Sequence, residues 1–279
     1  MQLNLGIVSD EICRDFPSAV SIGKRAGLLR YEVRNLRGVR VPNCDAADLR
    51  TVEETIEREN IKVTAISPGL FKYTEDTAAF HKEMSEIYPR AAELVSRWGL
   101  TGMIVFGFHK PGASEANAGS IPSDNPPGEI IEWLTEAAER AAADHLNLII
   151  EPEPICWADT CQATVDLIRR AGAKSIRINY DPGNVAWLQN RDPLDDFSAA
   201  APWIANVHIK DLRPLTRGAG NPEWVPAGAG MIDYRAHFRV LQEAGYQGPV
   251  SLEPHMNGSE ETTRACAEAV RRLWRESFE

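Results

Sequence analysis

Glu151, Asp181, His208 and Glu253 each close a short apolar run: Leu148-Ile149-Ile150-Glu151, Ile176-Arg177-Ile178-Asn179-Tyr180-Asp181, Ile204-Ala205-Asn206-Val207-His208 and Val250-Ser251-Leu252-Glu253. Runs of this length and β-branched content read as buried strands, and a charge at the end of a buried strand is costly unless it is paired, hydrogen-bonded or bound to a cation. A rim ion pair would account for any one of them. Three carboxylates and an imidazole on successive strands are accounted for together by one divalent cation on which they converge. The hard oxygen ligands point to Mn2+ first, with Mg2+, Co2+ or Zn2+ as alternatives, in an open site rather than a closed structural zinc site. Open positions on such an ion would chelate adjacent oxygens of a polyol, a hydroxyketone or an enediolate, and the ion would stabilise charge developing during proton abstraction.

Other residues could join this chemistry. Glu153 competes with Glu151 as a ligand but lies in a loop bounded by Pro152 and Pro154, so Glu151 is expected to bind the ion and Glu153 to support it. His255, just past Glu253, is a second expected support. His109 and Lys110 follow the fourth expected strand, at the end where substrate would sit, and Lys210 shares the inward side of its strand with His208. Glu32, beside Arg34, reads as an internal ion pair or as a support for the ligands. Trp157, Trp187, Trp203 and Trp224 fall in or near loops where a flat ring can stack on a sugar, although each alone also reads as ordinary packing. His81, His145 and His237 sit on helical stretches and are expected to face solvent or outer packing.

The elements that must position these residues alternate along the chain. Expected strands at 3–8, 29–33, 62–66, 102–106, 147–151, 175–181, 205–209 and 248–253 are separated by amphipathic stretches at 17–26, 46–59, 78–98, 129–145, 161–171, 193–200, 234–244 and 260–278. Pro89 should kink or split the third helix. Gly27, Gly99, Gly172 and Gly245 stand where helix C-caps are wanted. Eight such units close most naturally into a single α/β domain over 1–279, a (β/α)8 TIM barrel. The first strand is followed by Ser9-Asp10-Glu11, without the glycine-rich turn of an open dinucleotide-binding sheet. Loops at 110–128 and 212–231, rich in Gly, Pro, Ser and Asn, lie on the strand C-terminal side and are expected to cover the active site.

A formal net charge of −10 over 279 residues disfavours general binding to nucleic acid. Five cysteines without paired spacing, and a polar-alternating start, point to a reduced, cytoplasmic protein. No apolar run approaches the ~20 residues that span a bilayer. The expected partner is a small carbohydrate or cyclitol; a homo-oligomer is compatible with the sequence.

The chain resembles the sugar phosphate isomerase/epimerase superfamily, the xylose isomerase-like barrels that include ketose 3-epimerases, hydroxypyruvate isomerases, inosose dehydratases and dehydroshikimate dehydratases. The resemblance rests on the ordered run of Glu151 in Glu-Pro, Asp181 in Asp-Pro-Gly-Asn, His208 in His-Ile-Lys-Asp and Glu253 in Leu-Glu-Pro-His, followed in kind by Gly228-Ala229-Gly230-Met231-Ile232-Asp233. It implies one divalent ion held by Glu151, Asp181, His208 and Glu253, with the two glutamates acting as an acid/base pair in the epimerase branch. Asn184 stands where many relatives carry a substrate-binding His, and Ala229 where a Glu is frequent. The sequence therefore points to a metal-dependent sugar isomerase or epimerase with catalytic Glu151 and Glu253 and with His109, Lys110, Asn184, Trp187 and Lys210 near substrate. A dehydratase on the same scaffold is the alternative, and a non-catalytic sugar-binding barrel a minor one. An abasic-site endonuclease would call for several zinc ions and more His ligands.

Overall fold

The computed structural model describes residues 2–114, 117, 121–122, 125–214 and 222–279. In chain order the elements begin β1 (Leu5–Val8), α1 (Phe16–Arg25), β2 (Arg30–Val33), β3 (Asn35–Leu36), β4 (Val39–Arg40), α2 (Ala46–Glu59) and β5 (Lys62–Ile66). They continue α3 (Thr77–Lys82), α4 (Tyr88–Arg97), β6 (Gly102–Phe106), α5 (Gly128–Ala143), β7 (Asn147–Glu151), α6 (Cys161–Ala171) and β8 (Ile176–Tyr180). The last are α7 (Pro182–Gln189), α8 (Phe197–Ala200), β9 (Ile204–Ile209), β10 (Asp211–Leu212), β11 (Trp224–Val225), α9 (Tyr234–Glu243), β12 (Val250–Leu252) and α10 (Glu260–Glu276).

Eight parallel strands run in the order β5-β2-β1-β12-β9-β8-β7-β6 and curl into a nearly closed barrel. The end strands meet across a junction where Phe106 N donates to Leu70 O, just past β5, at 3.0 Å. Successive side chains of a strand point to opposite faces. Leu148, Ile150, Ile176, Ile178, Val207 and Leu252 therefore join the main core under the helices. The residues of opposite parity point inward: Ala65, Ile104 and Ile149 form a small apolar plug, and Glu32, Asn179, Asn206, His208 and Ser251 lie buried in polar layers. The ladder sets those layers in register, with Asn179 opposite Asn206 and Ser251 opposite His208.

Helix ends follow local chemistry. Asp15, Asp76, Thr160, Asp181, Asp233 and Ser259 each cap a helix by accepting a backbone N–H in its first turn. The four glycines expected as C-caps all take positive φ, from +64° to +73°. Pro89 splits the long helical stretch: it lies in the first turn of α4, where its missing N–H costs nothing, and a π-helical turn at Glu83–Ile87 joins α3 to α4.

Several local expectations are corrected. The stretch 193–200 is a 3-10 turn (Leu194–Asp196) followed by the short α8. α7 went unread because Pro182, Gly183, Asn184, Val185 and Ala186 are all buried, which erases the polar face that makes a helix legible. The two-stranded pairs β3·β4 and β10·β11 also lie outside the repeating pattern. Of the two positions expected for His237, outer packing is the one seen: it is buried, its ring 2.7 Å from both Tyr180 Oη and Asp192 Oδ1. The expected active-site loops fall partly outside the described residues, at 115–116, 118–120, 123–124 and 215–221. No described helix is long and apolar enough to cross a membrane.

Candidate metal centre and active site

Glu151 ends β7, Asp181 caps α7 one residue after β8, His208 lies in β9, and Glu253 follows β12 directly. All four are buried, and one ligand atom from each lies within 4.8 Å of the others. His208 Nδ1 is 3.2 Å from Glu253 Oε2, 3.5 Å from Glu151 Oε2 and 3.7 Å from Asp181 Oδ2. These separations match ligands sharing one ion, since bonds of ~2.1 Å place neighbouring donors about 3 to 4 Å apart.

The ring orientation of His208 is set from behind. Its Nε2 lies 2.8 Å from Glu32 Oε2, leaving the buried Nδ1 without a hydrogen-bond partner and aimed at the carboxylates. A buried, unpartnered imidazole nitrogen among three acid oxygens is a metal-ligand arrangement, so the donor set fits a divalent cation. Asn206 donates to Glu32 Oε1 (2.8 Å) and to Asn179 Oδ1 (3.0 Å), and Asn179 donates to Glu151 Oε2 (3.0 Å). A belt of amides thus runs inside the barrel from Glu32, the partner of His208, to Glu151.

The Asp-Pro-Gly-Asn segment has a use for each residue. Asp181 Oδ1 accepts the Asn184 N–H (2.9 Å) as the cap of α7, and Pro182 starts the helix where no N–H is required. A Cβ on Gly183 would come within 2.3 Å of Lys210 Cγ, so only glycine admits that side chain. Asn184 donates to Glu151 Oε1 (3.1 Å) and Pro152 O (2.8 Å).

The two glutamates differ in their neighbours. Glu151 is held by the neutral amides of Asn179 and Asn184, whereas Glu253 accepts from Arg34 Nη1 (2.6 Å) and Lys210 Nζ. Lys210 Nζ is also 2.7 Å from Asp181 Oδ2. Burial, partly opposed by His208 and reinforced by Glu253, pushes Glu151 up to about 7. Burial would raise Glu253 as well, but Lys210, His255 and His208 hold it well below the usual carboxylate range. For His208 burial acts against the imidazolium, yet Glu32, Glu253 and Glu151 raise it well above the ordinary value.

A second acidic cluster, Glu11, Glu253 and His255, adjoins the first. The Arg34 guanidinium lies between its acids, 2.6 Å from Glu11 and from Glu253 and 3.0 Å from Asp10. That cation supplies the charge balance a second metal would bring.

The centre opens into a cavity of about 380 Å3. Asn184, Lys210 and Trp187 line it, as do Glu153, paired with Lys72 at 2.9 Å, and His255, whose Nδ1 is 3.2 Å from Glu11. Trp224 adds an apolar wall, its ring 5.1 Å from that of His255. Lys110 and His109 do not line it. Lys110 is buried against Asp159 (2.7 Å) and donates to Ile121 O (3.0 Å), while His109 Nδ1 lies 2.7 Å from Glu75; both anchor loops instead. Trp157 and Trp203 also lie elsewhere.

Asn179, Asn206, Lys72, Arg40 and Asp211 were not read from the sequence as site residues. For the two asparagines a signal existed: each stands two positions before one of the four clustered residues and so shares its inward face. Asp211 has a different task. Its carboxylate accepts backbone N–H groups of Leu212, Gly228, Gly230 and Ile232 at 2.9 to 3.2 Å, tying the loop that carries Trp224 to the end of β9.

An eight-stranded parallel barrel with its polar centre at the strand C-terminal end defines the class of protein. The chain belongs to the xylose isomerase-like TIM barrel family, whose sequence profile matches residues 24–275. It is 22% identical over 246 residues to an inosose dehydratase of Lacticaseibacillus casei, covering 78% of this chain and 77% of that one. It is 25% identical over 138 residues to L-ribulose-5-phosphate 3-epimerase UlaE of Escherichia coli O157:H7, covering 50% and 46%. The crystal structure of the IOLI protein with a bound zinc atom has the same fold, with a TM-score of 0.76, 15% identity and coverage of 99% and 98%.

Proposed function

We propose that the protein is a divalent-metal-dependent enzyme that isomerises or epimerises a small keto-sugar or cyclitol through an enediolate. The observation that carries this reading is the convergence of Glu151, Asp181, His208 and Glu253, with the unpartnered Nδ1 of His208 among the carboxylates. These four residues would hold the ion, Mn2+ being the best match to the oxygen-rich set. Bound there, the ion would act as a Lewis acid toward a substrate carbonyl.

The chain's own residues divide the remaining work. Glu151, held by neutral amides, is the stronger base and takes the proton from the carbon beside the carbonyl. Glu253, bonded by two cations, is the weaker base and rests as the carboxylate; the proton for the neighbouring carbon comes from Glu151, which has just gained one, and a proton for the opposite face is drawn from solvent by way of Glu253. Lys210 keeps Asp181 and Glu253 in place. Trp187 and Trp224 exclude water from one side of the cavity.

Elimination is the second reading, and the dehydratase relative favours it because that match spans most of the chain. The same proton abstraction would be followed by cleavage of the β carbon–oxygen bond and release of water, leaving an enone. Incubation of Mn2+-loaded protein with keto-sugars and inososes in D2O separates the outcomes: solvent deuterium in an isomeric product supports isomerisation, and an absorbing enone supports elimination. Full turnover by chelator-stripped protein, or by Glu253→Gln, would contradict both.

A further inference from the structure

The cations around the cavity are nearly all matched. Arg34 is paired with Asp10, Glu11 and Glu253, Lys72 with Glu153, and Lys210 with Asp181 and Glu253. Arg40 is the exception. Among the described residues no carboxylate lies within ion-pair distance of its guanidinium, although the group lines the cavity. Its Nε donates to Ser67 O (2.9 Å) and its Nη2 to Ser67 Oγ (2.7 Å), while Nη1 has no hydrogen-bond partner among the described residues.

The surroundings make room for this placement. Gly69 takes φ +82°, and a Cβ there would lie 3.0 Å from Arg40 Nε, so a side chain at this position would crowd the guanidinium. Arg40 and Lys72 lie 5.9 and 5.0 Å from the centroid of the same Phe106 ring, which sets two cations on one wall. Burial, with Arg34 as the second cause, lowers the pKa of Arg40 against the weaker opposing pull of Glu151, Asp10 and Glu253, none of which pairs with it, whereas the anion-paired Arg34 is raised. An unmatched guanidinium in a cavity is costly without an anion, and its planar fork suits a carboxylate.

We propose that Arg40, oriented by Ser67, binds a carboxylate on the substrate, so that the natural substrate is a polyhydroxy keto acid rather than a neutral sugar. A monoanion matches the one charge left unmatched among the described residues. A phosphate dianion would add surplus negative charge to a cavity already lined by Glu32, Glu151, Glu153 and Glu253. The inference rests on the reading that this cavity takes the substrate.

Calorimetric titration of Mn2+-loaded protein with quinate, myo-inositol and myo-inositol 1-phosphate tests it. Quinate should bind at least ~10-fold more tightly than myo-inositol, the scale of one charge-assisted contact. Arg40→Gln should abolish that preference, with quinate losing far more affinity than myo-inositol. Arg40→Lys, which keeps the charge, should retain part of the preference and so separates loss of the contact from misfolding. Quinate binding that is absent, no tighter than that of myo-inositol, or still preferred in Arg40→Gln would overturn the proposal. So would a preference for the phosphate ester that depends on Arg40. A quinate preference in a protein that turns over no keto-sugar or inosose would leave the subsite standing and contradict the catalytic reading instead.

Discussion

Glu32 Oε2 lies 2.8 Å from His208 Nε2, and this contact decides which imidazole nitrogen faces the acid cluster. Held on the Glu32 side, the ring turns Nδ1 toward Glu151, Asp181 and Glu253. Glu32→Gln would keep the size of the side chain but lose its charge and leave the ring less firmly oriented. Mn2+ affinity is expected to fall ~10- to 100-fold, the usual effect of losing a partner behind a metal-bound His. Calorimetric titration measures it, and an unchanged affinity would show that the ring is oriented by something else.

Glu151 supplies a pH dependence. Its carboxyl is pushed up to about 7 by burial, so below that pH an incoming cation must displace a proton. Above it the carboxylate is already free. Affinity for Mn2+ is expected to fall most steeply below pH 7, where both Glu151 and the imidazolium of His208 must give up a proton, and to keep rising more shallowly above it, by up to ~10-fold per unit, while His208 alone must lose one. Titrations in buffers of different ionisation enthalpy count the proton released; equal affinity and no proton release at pH 6 would refute the prediction.

Lys210 contacts two of the four clustered residues, lying 2.7 Å from Asp181 and bonded to Glu253. Replacing it with Met leaves their negative charges less balanced inside the barrel. In chelator, Lys210→Met should lose about 3 kcal/mol of stability, the scale for breaking a buried pair. Divalent ions should then raise its melting temperature more than they raise that of the unaltered protein. Equal shifts in differential scanning calorimetry would count against this electrostatic role.

Asp211 and Gly230 form a second constraint at the mouth. A Cβ on Gly230 would fall 2.2 Å from Asp211 Oδ1 and 2.5 Å from Leu212 O. Gly230→Ala is expected to cost ~1 to 3 kcal/mol by overpacking, and Asp211→Ala at least as much by stranding backbone donors. Urea unfolding gives both values. A neutral Asp211→Ala would show that the loop is held by other contacts.

Much of this site is legible in the chain because strand geometry has period two. Once Glu151 and His208 are assigned as inward ligands, Ile149 and Lys210 must also point inward, and the structure places them so. Asp181 and Glu253 lie one residue beyond their strands, a small boundary difference that leaves the acid cluster intact. The irregular segments were harder. Arg40 reaches the cavity only through the β3·β4 pair, whose two-residue strands carry no periodic signal. Lys110, in contrast, follows its strand as expected but turns to Asp159, a partner 49 residues away that local pattern cannot reveal.

The proposed reaction stands on four side chains from separate strands sharing one divalent ion. Equilibrium dialysis with Mn2+, followed by metal analysis of the protein and of His208→Ala and Glu151→Gln, tests it most directly. One tightly held ion per chain is expected, lost or greatly weakened in both variants, together with loss of keto-sugar or inosose turnover. No bound ion, or an ion retained equally by all three proteins, would contradict it.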